Sequence, residues 1–290
     1  MISLIIPTLN AEQFIKPLFQ MLMSQTVKAD EIFIVDSEST DSTVQLCQKY
    51  ENVTVISVKR KDFDHGKTRD MALRKTHGNI VLFMTQDALP ANKCYIENLI
   101  KPLLQDEKIA VVSGRQLPRE NATKTEKLVR EFNYPPVSNI RQKSDIEKYG
   151  IKTFYCTDVC AAYNRKIYLE LGGFEYPLKT NEDMFFAAKA VQSGYKVGYV
   201  SDAEVIHSHN FTLKQQYKRN YIQGYEIEKH KDLLGHVSAN SEGMKMVKKI
   251  SLKLLREGAI VSFVHFGFDC CARFLGNRNG KRIALKKDEN

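Results

Sequence analysis

Short apolar runs alternate with segments of helical periodicity through the first 115 residues of this 290-residue chain. Residues 2–6, 31–35, 53–58, 80–84 and 109–113 are rich in Ile, Val, Leu and Phe and read as strands, 2–6 and 80–84 as buried ones. Between them, residues 11–25, 42–49, 67–76 and 92–104 read as helices; in the first, Phe14, Leu18, Phe19 and Leu22 share one face. Strand and helix in alternation predict an α/β fold with a mostly parallel sheet and right-handed crossovers. Residues 115–150 break the pattern. They are polar, carry Pro118, Pro135 and Pro136, and predict an excursion packed over the active edge of the sheet. Beyond it, 154–163 reads as a strand, Gly172-Gly173-Phe174 as a turn, 182–193 as a helix, and 197–200 and 205–206 as short strands. From residue 211 onward the character is helical and basic, with no repeats and no low-complexity tract.

The chemistry gathers where strands end. In open α/β sheets ligands bind at the carboxyl edge. Thr85-Gln86-Asp87-Ala88 follows the run 80–84, and Asp36 follows 31–35. A carboxylate at that edge can hold a hard cation together with a diphosphate. Two strands ending in Asp, with no glycine-rich loop between, point to a nucleotide-sugar site rather than a dinucleotide or P-loop site. Asp36 can accept from the N3–H of uracil or thymine, and the hydroxyls after it suit a ribose; equally, Thr40 or Asp41 can cap the next helix. Arg69 can donate to a pyrimidine carbonyl or a phosphate, and Lys67 and Thr68 can meet phosphate at a helix N-terminus. A solvated surface loop accounts for that segment as well. Glu182-Asp183 opens a helix. A carboxylate there either faces a cleft and takes a proton or complements the helix dipole. His207-Ser208-His209 ends a strand, and alternation places both imidazoles on one face, where either or both can reach a metal. Cys156 and Cys160 could join them in a zinc site, but the spacing is loose and both sit in an apolar run.

Composition narrows the picture. A hydrophobic content of 43% supports a real core, and six cysteines without framework spacing point to a reducing cytoplasm. The start, Met1 to Ile6, lacks the basic and apolar regions of a signal peptide. No stretch approaches the ~20 apolar residues of a membrane span; the longest, Gly258 to Phe268, carries His265. The net charge of +9 sits mostly in the tail, where Phe211 to Asn290 holds 16 Lys and Arg against 8 Asp and Glu. Lys245, Lys248, Lys249, Lys253 and Arg256 fall on one arc of a helix, and Met244, Val247, Ile250, Leu254, Leu255 and Val261 largely on the other. Such a helix docks on anionic lipid or packs its apolar face on the catalytic domain. No stacking-aromatic pattern accompanies the charge, so no nucleic-acid partner is expected.

Taken together, these residues resemble an inverting family 2 glycosyltransferase of the GT-A fold. The resemblance rests on Ile5-Ile6-Pro7-Thr8-Leu9-Asn10, on Val35-Asp36-Ser37-x-Ser39-Thr40-Asp41 and on Glu182-Asp183. Phe63-x-His65-Gly66-x-Thr68-Arg69, Thr85-Gln86-Asp87-Ala88 and His207-Ser208-His209 look more narrowly like the bacterial rhamnosyltransferase branch. It covers residues 2 to about 235, with a weaker echo at Phe274-Leu275-Gly276. It implies a transferase domain over 1–235 and a basic amphipathic helical extension over 236–290. The nucleotide-sugar contacts implied are Thr8, Asp36, Lys67, Arg69, Gln86 and Asp87. Asp183 matches the general base with Glu182 beside it, and Asp87 matches the metal ligand. His207 or His209 matches the His that contacts metal or diphosphate. Thr85 and Ser37 stand where the family often has a further Asp. The implied cofactor is Mn²⁺ or Mg²⁺, the donor dTDP-L-rhamnose, and the acceptor a lipid-linked or polysaccharide glycan of the bacterial cell surface. The implied location is cytoplasmic, peripheral on the inner face of the membrane, as a monomer or a homo-oligomer. A UDP-sugar-dependent transferase of the same fold and a catalytically inactive glycan-binding scaffold are the alternatives. A nucleotidyltransferase would need a glycine-rich basic loop where Pro7-Thr8-Leu9-Asn10-Ala11 stands.

Overall fold

The apolar runs become the centre of a nine-stranded sheet. The computed structural model describes residues 1–235, 237 and 240–288. In chain order the elements are β1 (Ile2–Thr8), α1 (Glu12–Met23), β2 (Glu31–Asp36), α2 (Thr43–Cys47), β3 (Val53–Ser57), α3 (His65–Lys75), β4 (Ile80–Met84), β5 (Leu89–Pro90) and α4 (Tyr95–Gln105). Then come β6 (Ile109–Leu117), α5 (Lys124–Asn133), β7 (Asn139–Arg141), α6 (Ile146–Tyr149), β8 (Cys160–Asn164), α7 (Arg165–Glu170), α8 (Glu182–Gln192), β9 (Lys196–Ile206) and α9 (Leu213–Lys229). Two further helices, α10 (Asn240–Arg256) and α11 (Ile260–Asp288), follow.

The strand order is β3-β2-β1-β4-β8-β6-β9-β5, with β7 beside β9. β1, β2, β3 and β4 pair in parallel, as does β6 with β9. The sheet is mixed, because β8 runs antiparallel between β4 and β6. The strands that the alternation pattern revealed still point one way, so their carboxyl ends share one edge. Alternation along β1 sends Leu4 and Ile6 to the face covered by α1 and α4, where Ile15, Phe19 and Leu99 are buried. Ile5 faces the other layer, with Phe83, Tyr163, Phe174 and Phe186.

The expected strand over 154–163 shortens to Cys160–Asn164, preceded by a 3₁₀ turn at Gly150–Phe154. Arg141 donates to the carbonyls of Lys152 and Tyr155 in the segment that leaves the extended conformation. The two short strands expected at 197–200 and 205–206 form one strand, β9, with a register shift opposite Gly114 and Arg115. There Gly114 lets the chains approach, since a Cβ would strike the Ala203 carbonyl.

The tail packs onto the body. Ile250 and Leu254 of α10 are buried with Leu128 and Val129 of α5 and Phe266 of α11. Part of the basic arc meets α5 too: Lys253 pairs with Glu131 at 2.9 Å and the Lys249 ammonium lies 5.8 Å from the centre of the Phe132 ring. Met244, Leu252 and Leu255 stay exposed. α11 lies against α9 at glycines: a Cβ on Gly224, Gly276 or Gly280 would collide with the backbone of the facing helix. The Phe274-Leu275-Gly276 echo therefore marks a helix crossing. Among the described residues, no helix is long and apolar enough to cross a membrane. The expected boundary between 235 and 236 abuts residues outside the described ones.

Candidate active site

A cavity of about 500 Å³ opens at the carboxyl edge and is lined by Arg69, Asp87, Glu182, Asp183, His207 and His209 among others. Asp87 lies just past the end of β4, and His207 just past β9. Because β4 and β9 run the same way, both deliver their last residues to this edge. His207 Nε2 and His209 Nε2 are 3.1 Å apart, and lie 3.5 and 3.4 Å from Asp87 Oδ2. Three ligand atoms thus converge within 4.8 Å. Gln116 Oε1 lies 2.9 Å from His207 Nδ1 and accepts its proton in the tautomer that frees Nε2 for a metal. Burial, followed by the charge of His207, lowers the His209 pKa to about 4, so it is a neutral imidazole at neutral pH. Burial alone would raise Asp87; the His207 hydrogen bond and the charges of His207, His209 and Arg119 outweigh it and hold the carboxyl well below the usual range. Two imidazole nitrogens and a carboxylate fit a divalent ion of the Mn²⁺ type better than Mg²⁺, which prefers all-oxygen shells. Thr85 Oγ1 is buried without a hydrogen-bond partner on the same wall.

The second group surrounds Arg69. Its guanidinium is almost fully buried and donates to Glu182 Oε1 at 3.0 Å, with Asp158 Oδ2 at 3.4 Å from Nε. Burial opposes its charge, but Glu182, Asp158 and Asp183 more than restore it, so it stays protonated. One cation among three carboxylates leaves an excess of negative charge in a desolvated place. Burial, partly offset by Arg69, pushes Asp158 up to about 7. Burial and then the charges of Glu182 and Asp158 raise Asp183 well above the usual carboxylate range. Asp183 accepts from the Met184 and Asp158 backbone N–H groups at 2.7 and 3.1 Å, which fixes its carboxylate at the start of α8 facing the cavity.

The structure brings Asp87, His207, His209, Arg69, Glu182 and Asp183 into one cavity. Thr8, Asp36, Lys67 and Gln86 do not line it. Thr8 Oγ1 donates to Asp36 Oδ1 at 3.0 Å, and Ser39 donates its N–H to Oδ2 at 2.8 Å. Gln86 holds the Leu9 backbone at both ends of its amide, at 2.8 and 3.2 Å. Lys67 is exposed at the first turn of α3. Arg69 and Glu182 bind each other, which leaves Asp183 as the carboxylate better placed to meet a substrate.

Sequence reasoning missed Arg119, Gln116, Asp158, Arg130 and Arg219. Arg119 holds Asp87 through the carbonyl at 2.7 Å and Oδ2 at 3.2 Å. Arg130 and Arg219 line the cavity; Arg130 pairs with Glu126 at 2.6 Å and also donates to Gln116 Oε1. Asp158 carries a faint signal. It precedes a buried strand, and an antiparallel strand begins at the edge where its neighbours end.

The family described as Glycosyl transferase family 2 matches residues 3–172. The O-antigen chain rhamnosyltransferase RfbN of Salmonella typhimurium (strain LT2) is 38% identical, covering 97% of this chain and 89% of that protein. The O-antigen chain rhamnosyltransferase WbaN of Salmonella anatum is 35% identical over 96% and 89% of the two chains. The mannosyltransferase PcManGT from Pyrobaculum calidifontis, solved with GDP-Man and Mn²⁺, superposes with a TM-score of 0.67. It covers 96% of this chain and 86% of that one at 18% identity, a likeness of fold.

Proposed function

The chain belongs to glycosyl transferase family 2, and we propose that it moves L-rhamnose from dTDP-L-rhamnose to a lipid-linked acceptor during synthesis of a bacterial surface glycan. The observation that carries this reading is the single cavity holding both the Asp87–His207–His209 cluster and Asp183. The rhamnosyl specificity is supported by the names of the two Salmonella relatives.

The reaction is a single displacement. Asp183 takes the proton of an acceptor hydroxyl as its oxygen attacks the anomeric carbon. The bond from that carbon to the diphosphate oxygen breaks, and configuration inverts. A divalent ion held by Asp87, His207 and His209, with Mn²⁺ the best fit, would act as a Lewis acid toward the departing diphosphate. Arg119 keeps Asp87 aimed, while Arg130 and Arg219 favour the anionic donor electrostatically. Arg69 and Glu182 are positioning residues that hold the start of α8. Thr8 and Asp36 hold each other at the ends of β1 and β2, with Gln86 in the loop after β4 and Lys67 in the first turn of α3.

We assign 1–235 to the transferase domain and 236–290 to the extension. Val261, Val264, Phe268, Cys271 and Leu275 recur at spacings of three and four on an exposed face of α11. Arg278 and Arg282 continue that row. An apolar stripe running into basic residues fits an anionic bilayer surface, where a lipid-linked acceptor lies.

A thermal-shift comparison of dTDP, UDP, GDP and CDP, each with Mn²⁺, Mg²⁺ or EDTA, tests the donor side. At ~100 times its dissociation constant a ligand adds about 2.7 kcal/mol. Stabilisation selective for dTDP with Mn²⁺, lost in EDTA and in His209→Ala, is expected. Selective stabilisation by UDP transfers the mechanism to a UDP-sugar, and no response to any nucleotide overturns the proposal.

A further inference from the structure

A second cavity, of about 470 Å³, lies beside the first and shares Tyr155 with it. Tyr155 Oη donates to Tyr134 Oη at 2.8 Å, so the hydrogen-bonded pair forms part of the wall between them. Phe132, Tyr149 and Tyr199 supply apolar ring surface, and Arg141 and Lys148 supply cations. The described lining residues include no Asp or Glu. Lys148 and Lys152 place their ammonium groups 4.8 and 4.6 Å from the Tyr149 and Phe132 ring centres.

Arg141 is the unusual member. Only 5% of it is exposed. Among the described residues, its N–H groups reach the carbonyls of Lys152 and Tyr155 and no carboxylate, its buried Nε has no hydrogen-bond partner, and Asp145 acts on it only at a distance. Arg69, equally buried, has two carboxylates. A buried guanidinium without a counter-charge is costly, and a bound anion would offset that cost. Burial accordingly lowers its pKa. We infer that this cavity binds a phosphate-type anion, namely the phosphate or diphosphate through which the acceptor glycan is joined to its lipid, with the adjoining sugar against the aromatic rings. The inference rests on the transferase reading for the identity of the ligand. The donor's own diphosphate is assigned to the Asp87 side of the wall, so the two anions occupy different cavities.

Two arms test it on the full chain. In the first, inorganic diphosphate is titrated in EDTA by thermal shift against wild type, Arg141→Gln, Lys148→Gln and Asp87→Asn. Wild type and Asp87→Asn should be stabilised alike. The Arg141 and Lys148 variants should bind about tenfold more weakly, the size of one charge-assisted hydrogen bond. In the second arm, KM is compared for a diphosphate-lipid-linked acceptor and for an alkyl glycoside of the same sugar. The Arg141 and Lys148 variants should raise the first KM about tenfold more than the second. Diphosphate binding that needs Asp87 and ignores Arg141 and Lys148 would overturn the inference. Diphosphate binding that needs Arg141, with both acceptors affected equally, would make the cavity a site for free phosphate and overturn the acceptor assignment. Should Arg141→Gln fail to fold, exposed Lys148 decides. If the wild type transfers to neither acceptor, the transferase reading fails, and the diphosphate arm still decides whether the cavity binds anions.

Discussion

Asp158 shows what a single side chain does in this site. Its carboxylate is buried beside Arg69 and accepts from Tyr163 Oη at 2.7 Å. With its pKa at about 7, the folded protein holds this proton more tightly than the unfolded chain does. Stability should therefore fall as pH rises from about 4 to 7, by up to about 1.4 kcal/mol per unit. Asp158→Asn keeps an acceptor for Tyr163 and removes the titration. Urea unfolding across that window should show a flatter pH dependence in the variant; identical slopes would contradict the assignment. Asp158 left only a faint trace in the sequence, because Arg69 and Glu182, whose charges act on it, lie far along the chain and on other elements. Asp87, Asp183, His207 and His209 were legible because each stands at the end of an apolar run or the start of a helix. Arg69 was read as a ligand contact from its loop, whereas its burial depends on the packing of α3 against α8.

Helices and strands inherit these placements. α9 carries Arg219 into the cavity wall and is braced from outside by α11. The bracing depends on glycines, and Gly280→Ala would force its Cβ onto the Tyr221 carbonyl. Overpacking of this kind costs typically 1–3 kcal/mol. The variant should melt at lower temperature with its donor-free cavity chemistry unchanged, and Gly243→Ala, where nothing lies near the added Cβ, should not. Equal melting temperatures for Gly280→Ala and wild type would mean that the helices separate at little cost. The strand–helix alternation up to residue 113 was legible because the central parallel strands are buried, nearly continuous apolar runs, while β3 at the edge, only half-buried, shows as a β-branched run. β5 and β7, of two and three residues, leave no periodic signal. The insertion of β8 between β4 and β6 is decided by tertiary packing and could not be read from local pattern.

For the whole molecule, the charge asymmetry and the exposed stripe of α11 support the proposal made above, that the tail docks on anionic bilayers. Phe268 is 60% exposed and Val264 50%. Wild type should co-float with vesicles containing anionic lipid, less so at high salt, because basic residues near such a surface contribute about 1 kcal/mol each. Val264→Glu with Phe268→Glu should abolish flotation without lowering the melting temperature, and equal binding to neutral vesicles would contradict the electrostatic part. Catalysis by Asp183 is tested with Asp183→Asn. Rhamnosyl transfer is measured with the product's anomeric configuration read by NMR. Wild type should give inverted product, and the variant a kcat lower by roughly 10²–10⁴ with dTDP affinity retained. A retained configuration, or a variant as active as wild type, would contradict it.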